Sequence, residues 1–308
     1  MILCCGEALI DMIPNPTATG QEAFVPYAGG AVFNTAISLG RLGRKVNLLS
    51  GVSTDLFGVQ LQEFLAQSHV GDSYLIRSGR PTTLAFVKLE NGHAKYAFYD
   101  ENTAGRMIEA EALPELGPEV TALFFGGISL ACEPCADTYA TLLAREGASR
   151  AVMMDPNIRQ GFAPDEARYR DRLMTMLAQA DMVKVSDEDL AWIIPDVEGL
   201  EAQAKALQAQ GPSVVLVTRG AEGALGLLAD GQVVSVAAER AEVVDTVGAG
   251  DTFNAGVMAR LDELGLLTKE ALRTLTPEAL EQALAYGAKV AAITVARAGA
   301  NPPWAHEL

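Results

Sequence analysis

The residues best suited to chemistry lie in one run, Asp245-Thr246-Val247-Gly248-Ala249-Gly250-Asp251-Thr252-Phe253-Asn254-Ala255-Gly256. Gly248 and Gly250 flank Ala249, so the backbone can bend and approach a ligand with no Cβ in the way. The apolar pair Val243-Val244 reads as the end of a strand, and the residues from Ala255 to Leu261 read as helix. A Gly-rich turn thus leads into a helix N-terminus, whose free N–H groups favour an anion. Asp251 adds a second negative group at that positive end. Beside a phosphate such a group is costly, and it suits a base held against a transferring phosphoryl group. The same residues also fit an ordinary strand–turn–helix junction with the Asp as N-cap. The run is not a Walker A loop, because no Gly-Lys-Ser/Thr follows the glycines, and no Gly-x-Gly-x-x-Gly follows the first strand.

Such a turn needs strands and helices to hold it. With 308 residues and 49% hydrophobic side chains, the chain has material for one large core. No apolar run approaches membrane-spanning length. The opening Met1-Ile2-Leu3-Cys4-Cys5-Gly6 has no basic lead, so no signal peptide is expected. A net charge of −16 sets the overall field against nucleic acid and anionic lipid. It does not oppose ATP, which needs only local donors. Cys4 and Cys5 point to opposite faces of a strand. Cys132 and Cys135 form a single Cys-x-x-Cys with no second pair at metal spacing, and His69, His93 and His306 are scattered. Reduced, non-catalytic thiols and a cytoplasmic setting are expected.

Residues 2–5 read as a buried strand, which puts Asp11 near the end of the first strand, where open α/β sheets place ligand groups. Residues 12–28 carry Pro14, Pro16, Gly20 and Pro26 and read as loop or short edge strands. Gly29-Gly30 precedes a helix-spaced run, Phe33, Ile37 and Leu42, with Asn34 one turn in. Val46 to Val52 reads as one strand, and Asp55 to Leu65 as a helix. Residues 81–104 break the β-α rhythm: two alternating runs flank Asn91-Gly92, a strong hairpin signal. Asp155-Pro156-Asn157-Ile158-Arg159 crowds polar groups at a strand end, either for an anion or as an Asp–Arg turn clamp. The run Val214–Thr218 is a buried strand that ends in the turn Arg219-Gly220-Ala221-Glu222-Gly223. Asp230-Gly231 reads as a hairpin turn, and Pro277–Val295 as a helix.

Taken together, these motifs resemble the ribokinase-like PfkB carbohydrate kinases, in the fructokinase-like branch. The segment around Asp251 is similar to the second signature of that family, Ala28–Gly43 to its first, Gly6–Asp11 to a fructokinase opening, and Tyr96–Ala104 to a fructokinase lid. The motifs keep family order from Gly6 to Gly299. The resemblance implies a single domain over 1–308: an α/β three-layer sandwich with a mostly parallel central sheet and a small β lid from about 12–28 and 81–104. It implies an ATP-dependent sugar kinase with Asp251 as base and Gly248, Ala249 and Gly250 as anion hole. The sugar then lies on Asp11, Gly29, Gly30, Asn34, Phe98, Asn102 and Arg159. The nucleotide lies on Lys184, Ser186, Thr218, Gly220 and Gly223, as well as on Gly248 and Gly250. Mg²⁺ falls to Asp189, directly or through water, where the family has Glu, with Glu188 as competitor. A monovalent cation, K⁺, falls to backbone carbonyls near Asp245, Val247, Arg297 and Gly299. Fructose, phosphorylated at O6, is the expected substrate. The alternative 2-keto-3-deoxygluconate would need a cation such as Arg80, Lys88, Lys95 or Arg106 for its carboxylate. A non-catalytic sugar sensor and a dinucleotide dehydrogenase are the readings from other classes; the intact Asp251 opposes the first, the missing fingerprint the second. Unpaired lid edges point to a lid-to-lid homodimer.

Overall fold

The computed structural model describes residues 1–90 and 93–308. The predicted Asn91-Gly92 turn therefore lies outside the described residues. In chain order the strands are β1 (Ile2–Cys5), β2 (Leu9–Pro14), β3 (Phe24–Gly29), β4 (Val46–Leu49), β5 (Gly51–Ser53), β6 (Ile76–Ser78), β7 (Leu84–Glu90), β8 (His93–Tyr99), β9 (Ala122–Gly126), β10 (Ala151–Asp155), β11 (Met182–Ser186), β12 (Val214–Thr218), β13 (Ala224–Leu227) and β14 (Val233–Val236). The helices are α1 (Ala31–Arg41), α2 (Leu56–Gln67), α3 (Cys135–Glu146), α4 (Glu166–Leu177), α5 (Asp187–Ile193), α6 (Leu200–Gln208), α7 (Ala249–Glu263), α8 (Lys269–Arg273) and α9 (Pro277–Val295).

The central sheet runs β14-β13-β12-β11-β10-β9-β1-β4. It is parallel from β12 to β4, and β13 and β14 are antiparallel additions. Its inner strands are apolar apart from Asp155, Lys184, Ser186 and Thr218, because both faces are covered. Strand alternation deals the side chains to two cores: Ile2, Cys4 and Phe124 join a cluster with α1, α7 and α9, while Leu3, Cys5 and Phe125 join one with α3, α4 and α6. The chain moves from β1 to β4 on one side, then returns through β9 to β12 on the other. The switch point therefore falls between β1 and β9, and a ligand crevice is expected at their carboxyl ends.

A second sheet, β3-β2-β7-β8, stands over that end. The antiparallel pairing of β7 with β8 follows the alternation in the sequence. Asp11 needs correction, because it sits within β2 rather than at the end of β1. The chain leaves the central sheet at Gly6, so the second sheet already begins at Leu9. The segment Val46–Val52 also divides: β4 stays in the central sheet, and β5 pairs with β6 in a separate ribbon. The lead-in Val243-Val244 is not strand; these side chains are 62% and 61% exposed, and only the Val244 and Asp245 amides are tied down, both to the Val295 carbonyl. Two adjacent valines look like β structure from propensity alone, but no neighbouring strand is there to pair with them.

Candidate active site

Helix α7 begins one residue after Gly248, whose φ of 78° is the left-handed turn that glycine allows. Gly248 is the N-cap, without a side-chain cap, which rejects the N-cap reading of Asp251. Asp251 instead occupies the first turn. The first i→i−4 bond runs from the Thr252 amide to the Gly248 carbonyl at 2.9 Å. Ahead of it, the Gly250 and Asp251 amides have no backbone acceptor among the described residues. Two neighbours crowd this turn and leave little room for a side chain at Gly248 or Gly250. A Cβ on Gly248 would lie 2.6 Å from Ala300 Cβ, and one on Gly250 would lie 3.0 Å from Lys184 Nζ.

Asp251 is 7% exposed. Asn34 Nδ2, reaching from α1, donates to Asp251 Oδ2 at 2.9 Å, while Oδ1 accepts nothing among the described residues. The Thr35 hydroxyl donates to the Asp251 carbonyl at 3.2 Å, which fixes α1 against α7. Burial pushes the Asp251 carboxyl up to about 7; the Asn34 bond and Lys184 work against this, Asp155 and Glu7 with it. A carboxylate with one oxygen held, one open and a pKa near neutrality is equipped to accept a proton.

Beneath the turn lies a buried cluster centred on Asp155. Lys184 Nζ donates to Asp155 Oδ2 at 3.0 Å, and Asn254 Nδ2 donates to the same oxygen at 2.6 Å. All three residues are buried. This cation sits under the amides that face an incoming anion. Asp189 is buried at the start of α5, where its Oδ1 accepts the Ile158 amide at 3.1 Å. Burial, then Asp155, raises its pKa. Glu188 is exposed, so of the two acidic candidates only Asp189 turns inward. Ser186 spends its hydroxyl as the N-cap of α5, accepting the Asp189 amide at 3.0 Å. Arg159 does not clamp Asp155: it is exposed, and its Nη1 donates to the neighbouring Ile158 carbonyl at 3.0 Å.

On the other side, Gly29 closes β3 and Gly30, with φ 107°, caps α1. A Cβ on Gly29 would lie 2.1 Å from Asp11 Oδ2, so the carboxylate occupies the space that a side chain would need. The Asp11 carboxylate has no hydrogen-bond partner among the described residues, and burial raises its pKa to about 6. Cross-strand register places Tyr27, Asp11, Ala85 and Phe98 in one row across β3, β2, β7 and β8. Phe98 therefore shares a face with Asp11, and its ring meets Phe162 edge-on at 4.4 Å. Asn102 is exposed with φ 58°, just beyond β8.

β12 ends at Thr218, and the loop after it carries Gly220 and Gly223 at positive φ. A Cβ at Gly223 would lie 2.1 Å from the Val236 carbonyl, which accounts for that glycine. Asp245 joins two distant segments: its Oδ1 accepts the Val247 amide at 3.0 Å and its Oδ2 the Gly299 amide at 2.9 Å. The Arg297 side chain turns away to Glu307. Three contributors escaped sequence reasoning. Glu7 is buried, and accepts the Ala31 amide at 3.0 Å and the Ser129 amide at 3.3 Å, pinning α1 to the turn after β9. A charged residue inside an otherwise apolar opening was the available signal. Asn254 stands in the Gly-rich run with nothing local to give it a role, and Phe162 left no signal, since it looks like loop packing until the fold brings it to the site. Cys132 and Cys135 are free and buried, and burial pushes both thiols up, the reverse of a reactive pair.

A buried carboxylate at the bare first turn of a helix, beside a row of groups suited to hydroxyls, defines a phosphotransferase acting on a small polyol. The chain matches the family described as "pfkB family carbohydrate kinase" over residues 1–307, and it belongs to that family. It is 52% identical to a fructokinase of Rhizobium leguminosarum bv. trifolii over 284 residues, 91% of this chain and 85% of that one. It is 32% identical to a fructokinase of Klebsiella pneumoniae, over 89% of this chain and 87% of the relative. A crystal structure of fructokinase with bound ATP from Xylella fastidiosa superposes with a TM-score of 0.88 at 30% identity, covering 97% of this chain and 93% of that one. The ribokinase-like sandwich and the sugar-kinase class follow. Among the described residues no helix is long and apolar enough to cross a membrane.

Proposed function

We propose that this chain transfers the γ-phosphoryl group of ATP to O6 of fructose. The observation that carries this reading is Asp251, buried at the open first turn of α7 with one oxygen held by Asn34 and the other unengaged. Asp251 takes the proton of the sugar hydroxyl as that oxygen attacks the γ-phosphorus, and the bond from phosphorus to the ADP oxygen breaks. The Gly250 and Asp251 amides and Lys184 bear the charge that develops on the transferred group. Asp11 and Asn34 orient the hydroxyls, while Gly29 and Gly30 allow close approach. The β3-β2-β7-β8 sheet serves as the lid that excludes water, with Phe98 and Asn102 at its rim and Arg159 across from it. ATP lies toward Thr218, Gly220 and Gly223.

Mg²⁺ bound with ATP would supply charge neutralisation at the phosphates. Asp189 fits that partner: it is buried and repelled by Asp155, so a nearby cation relieves it. Among the described residues no group of three or more His, Cys, Asp and Glu could hold a metal alone, which suits a cation shared with the nucleotide. A monovalent cation such as K⁺ would take backbone carbonyls near Asp245, Val247, Arg297 and Gly299, segments that the Asp245 carboxylate draws together. The free, buried cysteines suit a cytoplasmic setting.

The test is ATP-coupled turnover with fructose, ribose, tagatose, 2-keto-3-deoxygluconate and no sugar. Fructose-dependent ADP release well above the others is expected. Preference for the keto acid would overturn the substrate while keeping the base. That outcome would need a free cation, and Arg106 is committed to Asp100 at 3.0 Å and to the Glu133 carbonyl. The side chains of Lys88 and Lys95 lie outside the described residues, and Arg80 is exposed.

Self-association through the lid belongs to the same proposal. Phe24, Phe86 and Tyr99 form an edge-on aromatic chain on the face away from Asp11, and Phe24 and Tyr99 are 42% and 63% exposed. A second copy of this face is the proposed cover. Sedimentation should give a dimer that Phe24→Ser with Tyr99→Ser converts to monomer. A monomeric wild type would refute it.

A further inference from the structure

We propose that Phe162 is a positioning residue for the sugar: it latches the lid to the central domain and closes the wall of the sugar pocket. This rests on the sugar-kinase reading above. Phe162 ends the short turn Gln160–Phe162, directly after the Asp155–Arg159 motif at the carboxyl end of β10. Its amide donates to the Arg159 carbonyl at 3.0 Å, so ring and motif move together. One side of the ring packs on the core cluster that contains Ile158 and Tyr169. The other meets Phe98 of β8, with ring centroids 4.4 Å apart and planes at 77°.

Phe98 is not an isolated lid residue. It lies in the row with Asp11, two strands away, which at the usual strand spacing is about 10 Å. Ala85 stands between them, fully buried and small. Within the row the small Ala85 therefore separates the Asp11 carboxylate from the aromatic ring of Phe98 at the β8 end. Phe162 supports the aromatic end from below. A sugar has hydroxyl edges and an apolar C–H face, and this arrangement offers a partner for each. Phe162 thus fixes the distance between the lid row and Arg159, and with it the width of the pocket.

An edge-on aromatic pair contributes a factor of roughly three to ten in an equilibrium constant. In Phe162→Ala, the sugar KM should rise about tenfold with the ATP KM within about twofold, and ATP hydrolysis without sugar should gain on sugar phosphorylation. Phe162→Tyr, which keeps the ring, should restore both. Amide hydrogen exchange in the free protein gives a readout that does not depend on turnover: β2, β7 and β8 should exchange several-fold faster in Phe162→Ala, with β9 and β10 unchanged. Unchanged lid exchange together with an unchanged sugar KM would overturn the latch. Equal losses in the Ala and Tyr variants would reduce Phe162 to packing and also overturn it. A wild type inactive on every sugar would sink the kinase reading instead, with lid exchange still deciding the latch.

Discussion

Asp251→Asn is expected to lower kcat by about 10³-fold while the protein stays folded and becomes more heat-stable above pH 7. The loss follows from removing the proposed proton acceptor at the first turn of α7. The gain follows from linkage. The Asp251 pKa is raised from 3.8 to about 7 in the folded protein, chiefly by burial. For a carboxyl raised on folding, the folded state holds its proton more tightly than the unfolded chain. The group therefore favours folding at low pH, and that contribution is lost as pH rises through the window from about 4 to about 7. Above it the buried charge costs on the order of 4 kcal/mol, so the neutral amide should raise Tm by several degrees at pH 8 and by little at pH 4. In the wild type, kcat/KM for the sugar should rise with pH as Asp251 loses its proton, levelling above about 7, and this limb should vanish in the variant. Activity within tenfold of wild type would remove Asp251 as base.

Gly29→Ala should raise the sugar KM by about 10²-fold and leave the KM for ATP almost unchanged. The added methyl would lie 2.1 Å from Asp11 Oδ2, so the carboxylate must leave its place or β2 and β3 must separate. Losing two hydrogen bonds to a charged acceptor accounts for an effect of that size. Asp11→Asn keeps an acceptor and should lose less. Because the Asp11 carboxyl titrates near 6, the wild-type sugar KM should also climb below that pH, where the acceptor is neutralised. A normal sugar KM in Gly29→Ala would show that Asp11 does not hold the substrate.

Much of this was legible in the sequence because glycine, proline and charged residues in apolar runs have few explanations. Gly248 and Gly30 adopt positive φ where the motifs required a bend. The alternation in 84–89 and 94–99 gave the antiparallel pair. Other features depend on long-range partners that local pattern does not encode. Asp11 was assigned to the wrong strand because hydrophobic continuity from Ile2 to Ile10 hides the exit at Gly6. Val243-Val244 has strand composition and no strand beside it. The cluster of Lys184 and Asn254 on Asp155 joins three elements separated by 29 and 99 positions from Asp155, and only the completed sheet brings them together. Lys184 enters through the resemblance, and Asn254 stands in the Gly-rich run with no role of its own until the fold is complete.

The excess of acid around the first turn of α7 bears on how the enzyme lets go of what it makes. Asp251 stands with Asp155 and Glu7 in its field, and Lys184 is the opposing cation. In the proposed reaction Asp251 gains a proton during transfer, so the new phosphate ester would form beside a neutral group. Once that proton escapes to solvent, a dianion faces a restored carboxylate in a poorly screened cavity, and the two repel. On the proposed mechanism the side chain that starts the reaction would also drive product out, and turnover would be tied to how fast the pocket opens far enough for a proton to leave.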